Sequence, residues 1–478
     1  MRDTPLRGSP RVVLAVTSLA VFIVFLDTTI VNVAFDTISH DFRTTARGLA
    51  WVLNAYSLVF AALLVPAGRL ADQFGRRRLF VAGLAGFAVT SAACGLAQGT
   101  GMLIAARALQ AVFAALVVPT SLALLLPEFP PARRSAALGA WGAMGAVAAA
   151  SGPTLGALLI EAGSWRLVFL INVPICAVAV WLGLRVLREA RDPDASGIPD
   201  PLGVVLVIAA PGLAALAIVQ GPVWGWGSAR VLGCLALAAV LLVLFVVRSR
   251  VAAQPVVDLA LFRVRSYAVA NVGTLLFSLA FFATTLANII FLQTVWGWSV
   301  LRTAVAVTPS PVVAALVSPL SGRLADRFGH RVVLVPGALV FAAGLLLYAT
   351  TIGAHPAYVS EWLPAAILAG AGIGLTLPTL GSAAASSLPP ARFGVGSAVN
   401  SSFRQLGAVL GVSVFVAVIG TPTRQSALGD FHRVWGVIAA VSAVAALVCA
   451  GVRTAVLAGG TAPQELGVSA AEPAPALT

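Results

Sequence analysis

The 478-residue sequence contains no lysine, and only 10% of its residues are charged, yet its net charge is +13. All the basic residues are therefore arginines, and they lie in short gaps between apolar runs. This placement indicates membrane topology and excludes a nucleic-acid partner. The four cysteines stand singly with no CxxC or Cys/His spacing, so no metal site is expected. No nucleophile and base pair or phosphate-binding loop falls within the apolar runs, which argues against an enzyme, a cofactor and direct ATP drive.

The sequence is instead rich in apolar residues. Hydrophobic residues make up 59% of the chain, and the mean hydropathy is +0.98. A soluble protein cannot cover that much apolar surface with polar groups, whereas lipid needs no such cover. Since a bilayer core about 30 Å thick needs about 20 helical residues, the runs predict roughly fourteen spans in an all-α integral membrane protein. Their approximate limits are 12–35, 48–70, 79–97, 102–126, 136–160, 166–186, 202–220, 231–248, 267–294, 303–321, 332–351, 361–387, 397–420 and 433–453.

One loop sequence occurs twice, as GRLADQFGRRR (Gly68 to Arg78) and as GRLADRFGHRV (Gly322 to Val332). Two copies indicate an internally duplicated helical membrane domain, which is a common architecture for transporters. Their separation exceeds six spans, so we expect a helix pair inserted between two six-helix bundles. The predicted organisation is an N-terminal bundle at 1–186, a linker and inserted pair at 187–265, a C-terminal bundle at 266–455, and a disordered cytoplasmic tail at 456–478.

The repeated loop has residue types that suit a conformational latch. Gly68 and Gly75 permit close approach and a sharp turn, and Asp72 can cap a helix start or pair with Arg69 or Arg76. The alternative is a set of arginines that only fixes topology. The corresponding residues of the second copy are Gly322, Arg323, Asp326 and Gly329. This copy has His330 and Val332 where the first has arginine, so we predict that the Asp72 copy is the stronger latch.

The distribution of arginine predicts the orientation in the membrane. Arginines precede the first predicted span and follow the even-numbered spans, whereas the gaps at 98–101 and 221–229 carry few or none. The positive-inside rule then places both termini in the cytoplasm. The lack of lysine and the abundance of alanine, glycine and arginine suggest a GC-rich bacterial source, so the expected location is a bacterial inner membrane. Four tryptophans at predicted outer ends fit an interfacial belt or an aromatic vestibule: Trp224, Trp226, Trp296 and Trp298.

Asp27 is the outlying residue, because it lies well inside the first predicted span. A carboxylate near the middle of a membrane costs about 3 kcal/mol on insertion scales, so it must be protonated, paired or in contact with water. Arg107 in the fourth span lies at a compatible depth, and Gln110 shares its helix face. Proton coupling or cation sensing is one interpretation of Asp27, and a structural ion pair or polar packing is the other. For Arg107, the alternative to this pairing is a side chain that snorkels to the outer interface. A lone carboxylate in a cavity would favour cationic or neutral cargo.

Other polar and small residues inside the spans are candidates for substrate contact or helix packing. We expect Asn32, Asn54 and Gln110 to contact substrate, with interhelical hydrogen bonding as the alternative. In the fifth span, Gly152 and Gly156 belong to a small-residue face that Pro153 interrupts. Such a face predicts a close and kinkable helix contact.

Several motifs together resemble the major facilitator superfamily, and specifically its fourteen-span drug:proton antiporter branch. The duplicated loop matches the superfamily's loop motif. The other motifs are LDTTIVNVAF (Leu26 to Phe35), LIAARALQ (Leu103 to Gln110), SGPTLGA (Ser151 to Ala157), SWRLVFLINVPI (Ser164 to Ile175) and GVGSAVNSSFRQLGAVLG (Gly394 to Gly411). Ala111 and Ala157 depart from the usual pattern, because each stands where the fourth-span or fifth-span motif usually has glycine.

The resemblance implies a major facilitator fold of two six-helix bundles and proton-driven efflux by alternating access. It implies that Asp27 and Arg107 take part in coupling and that Asp72 stabilises a latch. The expected function is a proton-coupled exporter of small amphipathic drugs or antibiotics, with protons, cargo and lipid as its partners and a monomeric state. The alternative is a dedicated exporter of one endogenous metabolite, antibiotic or lipid with the same fold.

Overall fold

The computed structural model describes residues 9–191, 200–388, 393–419 and 426–452, and these form helices joined by short turns. The helices of the N-terminal half are α1 (Pro10–Val33), α2 (Phe35–Asp41), α3 (Ala46–Phe74), α4 (Arg76–Gly95), α5 (Thr100–Leu125), α6 (Pro131–Ala162), α7 (Leu167–Leu170) and α8 (Asn172–Val186). The pair that the sequence predicts to be inserted, which we call the inserted pair, is α9 (Pro201–Trp224) and α10 (Ala229–Val251). The C-terminal half contains α11 (Arg265–Thr294), α12 (Val300–Val307), α13 (Pro309–Phe328), α14 (His330–Thr351), α15 (Leu363–Ser386), α16 (Phe393–Ile419) and α17 (Ala427–Cys449).

The all-α membrane fold predicted from the hydropathy is confirmed. Within the described residues, 13 helical segments are long and apolar enough to cross a membrane. The remaining predicted span, 136–160, falls within α6, whose 32 residues extend about 48 Å at 1.5 Å per residue. Two spans are divided into shorter helices, because α7 and α8 meet at a turn and α12 and α13 meet at Thr308 before Pro309. The predicted tail at 456–478 lies outside the described residues.

The inserted helices pack together and lie beside the seam between the two halves. Helix α9 contacts α10, and it also contacts α3 of the N-terminal half and α16 of the C-terminal half. Asp200 caps the start of α9 by accepting a hydrogen bond from the Gly203 N–H, at 3.1 Å. The inserted pair therefore covers one side of the contact between α3 and α16.

The two copies of the repeated loop lie at the same end of the molecule. Helix α3 ends at the first copy, and it runs antiparallel to α16. Helix α16 therefore begins at the same end of the molecule. Helix α15 ends and α14 begins at this end too. The second copy joins α13 to α14 on that side. We call this end the motif face and the opposite end the distal face.

Hydrogen bonds between the halves run from the distal face to the middle of the spans. Among the described residues there are four: Thr154 with Thr308 (3.2 Å), the Leu301 N–H to Glu161 (3.3 Å), Asn54 to Ser413 (3.1 Å), and Ser402 to the Ala61 carbonyl (2.6 Å). None of these four joins the halves near the motif face. The halves are therefore fastened to each other on the distal side.

A large aromatic cluster fills the distal end of the C-terminal half. Trp296 and Trp298 are 7% and 8% exposed, and their rings contact each other, with a centroid distance of 5.0 Å. Trp362 and Trp435 complete the cluster around Phe291. The interpretation of Trp296 and Trp298 as belt or vestibule residues was wrong, because both are packed inside protein. Trp226 is 55% exposed, as a belt residue would be.

Candidate functional site

Asp27 forms the centre of a buried polar network inside the N-terminal half. Its Oδ2 accepts a hydrogen bond from Arg107 Nη1 at 2.5 Å. Its Oδ1 accepts from Gln110 Nε2 at 3.1 Å and from Asn172 Nδ2 at 3.0 Å. Asp27 is fully buried and Arg107 is 1% exposed. The predicted pairing of Asp27 with Arg107 is confirmed, and three donors satisfy the carboxyl oxygens there.

Five helices, α1, α3, α4, α5 and α8, position this network. Helix α5 presents Arg107 and Gln110 on one face, because residues three apart are neighbours on a helix. Gln110 is held in turn by Arg107, whose Nη1 donates to Gln110 Oε1 at 2.7 Å. The Arg107 guanidinium lies 4.1 Å from the centre of the Tyr56 ring of α3. These contacts fix the guanidinium on three sides, so it cannot reach to the interface, and the alternative reading of Arg107 is wrong.

Asn172 and Ser91 belong to the network, and the sequence reasoning did not single them out. Asn172 begins α8 just after the turn that divides the sixth span, and its Nδ2 also lies 3.0 Å from Ser91 Oγ of α4. Ser91 Oγ then donates to the Phe169 carbonyl at 2.8 Å. An amide inside an apolar run was the available signal for Asn172. The sequence held no comparable signal for Ser91, because single serines are common in membrane helices.

The three residues expected to line a substrate cavity do not lie together. Gln110 is fully buried beside Asp27, and Asn54 is fully buried in the seam, where its Nδ2 donates to Ser413. Asn32 is 6% exposed near the distal end of α1. The expectation that Asp27 lies in a cavity is corrected, because protein covers it completely. A role of Asn32, Asn54 and Gln110 in substrate contact stays a prediction.

The first repeated loop is held by many contacts at the motif face. Asp72 Oδ1 accepts from Arg76 Nε at 2.8 Å, which is one of the predicted pairings. Gly75 has a φ of 112°, and a side chain there would collide with Glu189. Glu189 also accepts from the Arg77 N–H at 3.1 Å. The sharp turn expected at Gly75 is confirmed.

The same loop also reaches the segment that follows the inserted pair. Arg69 Nη1 donates to Gln254 Oε1 at 3.2 Å. Gly68 faces Pro119 of α5, where an added Cβ would lie 3.7 Å from the proline Cβ. The loop is therefore tied to the N-terminal half and to the inserted segment.

The second repeated loop has the same turn but fewer contacts. Gly329 has a φ of 91°, and its N–H donates to the Ala325 carbonyl at 2.8 Å. Asp326 and Arg323 are exposed, and neither forms an ion pair with any other described residue. An added Cβ on Gly322 would meet no atom within 4 Å. The two copies thus differ in how firmly they are held, although their turns are alike.

The glycines of α6 pack closely against α1. A Cβ on Gly152 would lie 3.0 Å from the Thr29 Cβ, and one on Gly156 would lie 2.8 Å from the Ile30 Cγ1. Pro153 lies within the helix at this contact. The predicted close helix contact is confirmed, and α1, which carries Asp27, is the partner.

Two carboxylates outside the spans hold loops in place. Hydrogen bonds from Trp165 and Arg166, both 2.9 Å long, lower the pKa of Asp41 below its usual value. A hydrogen bond from Arg248, 2.8 Å long, lowers the pKa of Asp200 in the same way. Both carboxylates are therefore ionised anchors near neutral pH.

The fold and the buried network define a multi-pass membrane protein of the transporter class. The chain belongs to the Major Facilitator Superfamily, whose family model matches residues 17–412 and 270–476. It is 37% identical to the multidrug resistance protein Stp of Mycobacterium tuberculosis, over 85% of this chain and 75% of that protein. It is 34% identical to the tetracenomycin C resistance and export protein of Streptomyces glaucescens, over 86% of this chain and 76% of that protein.

Solved structures show the same fold at low sequence identity. A bacterial homologue of the human lysosomal transporter Spinster, in an inward-facing and unoccupied conformation, matches with a TM-score of 0.67 and 17% identity. The match covers 94% of this chain and 97% of that one. The chain is therefore a transporter by family and by fold.

Proposed function

We propose that this protein is a proton-coupled exporter of small amphipathic drugs or antibiotics that works by alternating access. Asp27 is the observation that carries the proposal. Every other carboxylate in the described spans lies within four residues of a span end, so Asp27 is the one titratable acid at mid-depth there. The names of several relatives, which are drug and antibiotic resistance proteins, support the type of cargo.

Coupling follows from what protonation would do to the network. With the proton absent, Asp27 and Arg107 cancel each other's charge inside the half. A proton on Asp27 leaves Arg107 as an uncompensated buried cation and makes the carboxyl a donor instead of a pure acceptor. Both changes favour a shift of α1 relative to α5 and α8. Because α1 also packs against α6, that shift is transmitted to a helix that bonds the other half.

We further propose the fourteen-span branch of the family and a cytoplasmic motif face. The arginine clusters of both repeated loops lie at that face, as the positive-inside rule requires. Both termini are then cytoplasmic. The distal hydrogen bonds between the halves would close the outer side, which supports a conformation that is open to the cytoplasm. The Asp72 loop would act as the latch that forms or breaks as the halves rock.

The test is proton-driven transport by purified protein in liposomes with an imposed pH gradient. Asp27→Asn keeps the size of the side chain but cannot exchange a proton. We expect it to reduce gradient-driven uptake of whichever probe the wild type transports, ethidium or 1-naphthylacetate, to the level of empty liposomes. Asp36→Asn, which changes an exposed carboxylate outside the spans, should transport like the wild type. Gradient-driven transport by Asp27→Asn at the wild-type rate would refute the coupling role.

A dedicated exporter is the second candidate, since one relative is named for resistance to the single antibiotic methylenomycin A. A susceptibility panel on cells with and without the gene separates the two. Cross-resistance to chemically unrelated compounds supports multidrug export. Resistance confined to one compound supports the dedicated exporter.

A further inference from the structure

A second arginine lies at mid-depth, between the two halves. Arg404 is in the middle of α16, yet its side chain is partly exposed. Its guanidinium carbon lies 5.5 Å from the centre of the Phe25 ring, which belongs to α1 in the opposite half. A mid-span side chain that faces the other half and keeps exposed surface borders the space between the halves.

Arg404 has no anionic partner among the residues that the structure describes. It makes no ion pair and no hydrogen bond with the described residues, whereas Arg107 is neutralised by Asp27. The other carboxylates of the described spans lie near span ends, too far along their helices to compensate it. The space between the halves therefore carries a net positive charge at mid-depth. A charge left uncompensated in a membrane is costly and is usually retained for function.

The surroundings of Arg404 leave room for an apolar molecule. Phe25 provides an aromatic wall. Gly145 of α6 faces that wall, and a Cβ added there would lie 3.5 Å from the Phe25 Cδ2. One turn closer to the motif face, a Cβ added to Gly142 would meet no atom within 4 Å. The Arg404 guanidinium, the Phe25 ring and the small-residue face of α6 therefore lie next to one another.

We propose that Arg404 binds an anionic oxygen group of the cargo, a carboxylate or an ionised phenol, whose apolar body packs on Phe25 and beside α6. This proposal rests on the proposed export function and specifies its substrate class as amphipathic organic acids. The guanidinium fork matches a carboxylate with two parallel hydrogen bonds. This assignment replaces the expectation of cationic cargo, because Asp27 is buried and paired with Arg107, whereas Arg404 is partly exposed and has no ion pair with another described residue.

The test measures the charge preference of binding to the full-length protein in lipid nanodiscs. The probes are 1-naphthylacetate, its neutral amide 1-naphthylacetamide, and 1-naphthylmethylammonium, which share one apolar body. The wild type should bind the acid roughly tenfold more tightly than the amide, as expected for a hydrogen bond between charged groups. Arg404→Gln should bind both equally, and Arg404→Lys should retain part of the preference. Arg433→Gln, a change at an exposed arginine of α17, should behave like the wild type.

A variant with the opposite charge at position 404 keeps the test decisive even if Arg404 also supports folding. Arg404→Glu should prefer the ammonium probe over the acid, with the midpoint of thermal unfolding reported beside each affinity. Equal binding of acid and amide by the wild type, or an unchanged preference in Arg404→Gln, would overturn the proposal. The liposome assay tests proton-driven export separately, so a failure there leaves the binding preference as an independent result on Arg404.

Discussion

Asp27 shows how a carboxylate can lie at the middle of a membrane protein without contact with water. Three donors from α5 and α8 satisfy it, and Arg107 balances its charge. The arrangement is stable only while both partners are present, because a buried charge without its partner is far costlier than no charge at all. The same property lets a single proton disturb the whole network.

The Asp27–Arg107 pair predicts a specific pattern in a double-mutant cycle. Asp27→Asn removes the carboxylate and leaves Arg107 without a partner, whereas Arg107→Met removes the guanidinium and leaves Asp27 without one. Each single change should lower the free energy of unfolding by about 3 kcal/mol or more. The double variant carries no buried charge, so its unfolding midpoint should lie above that of Arg107→Met. Thermal unfolding of the purified proteins measures this. Additive losses in the double variant would show that the pair is not coupled.

The two repeated loops share a sequence and a turn but differ as structural elements. Both turns need glycine, because Gly75 and Gly329 have φ values of 112° and 91°. Only the first copy meets Glu189 and Gln254, which come from the segments before and after the inserted pair. The inserted helices thus support one copy of the duplicated loop.

Separate substitutions of the two loop aspartates should rank the copies. Asp72→Asn weakens the bond to Arg76 and should slow transport strongly, whereas Asp326→Asn should have a smaller effect because Asp326 has no ion pair among the described residues. Initial rates of gradient-driven transport, normalised to the amount of reconstituted protein, provide the comparison. A larger loss in Asp326→Asn would invert the ranking.

The anchor of the inserted pair predicts a pH dependence. The Arg248 hydrogen bond lowers the pKa of Asp200, so its stabilisation is complete above the ordinary aspartate pKa of about 4 and is lost as the pH falls through the lower folded-state value. The difference in unfolding midpoint between wild type and Asp200→Asn should therefore be constant from pH 7 to about pH 5 and shrink below about pH 4. A difference that already disappears by about pH 6 would contradict this assignment.

Among the described residues, the hydrogen bonds between the halves lie between the distal face and the middle of the spans, so their relative motion can be tested with a crosslink at the distal face. Thr154 Oγ1 and Thr308 Oγ1 are 3.2 Å apart and belong to α6 and to the junction of α12 and α13. A disulfide between Thr154→Cys and Thr308→Cys should stop transport, and a reductant should restore it. The background needs Cys234→Ser, because Cys234 is the native cysteine that is not buried. Undiminished transport with the disulfide formed would exclude opening at this contact.

Much of the architecture could be predicted because a bilayer imposes strong local rules. Span lengths, the duplicated loop and the insertion all follow from runs of apolar residues and from one repeated motif. The pairing of Asp27 with Arg107 could also be predicted, because two isolated charges at similar depth in a low-dielectric medium must satisfy each other. The glycines of α6 indicated a close contact, although not that α1 was its partner.

The accessibility of each polar group could not be read from the chain, because it depends on how the helices are rotated about their axes. Asp27 lies inside a span in the sequence, but only the packing of α5 and α8 around it shows that it is enclosed. Arg404 lies in an equally apolar helix, and the rotation of α16 places it opposite Phe25, where no other described residue forms an ion pair with it. The sequence determined the order and the approximate limits of the apolar spans. The packing of those helices decided which charge is cancelled and which remains available between the halves.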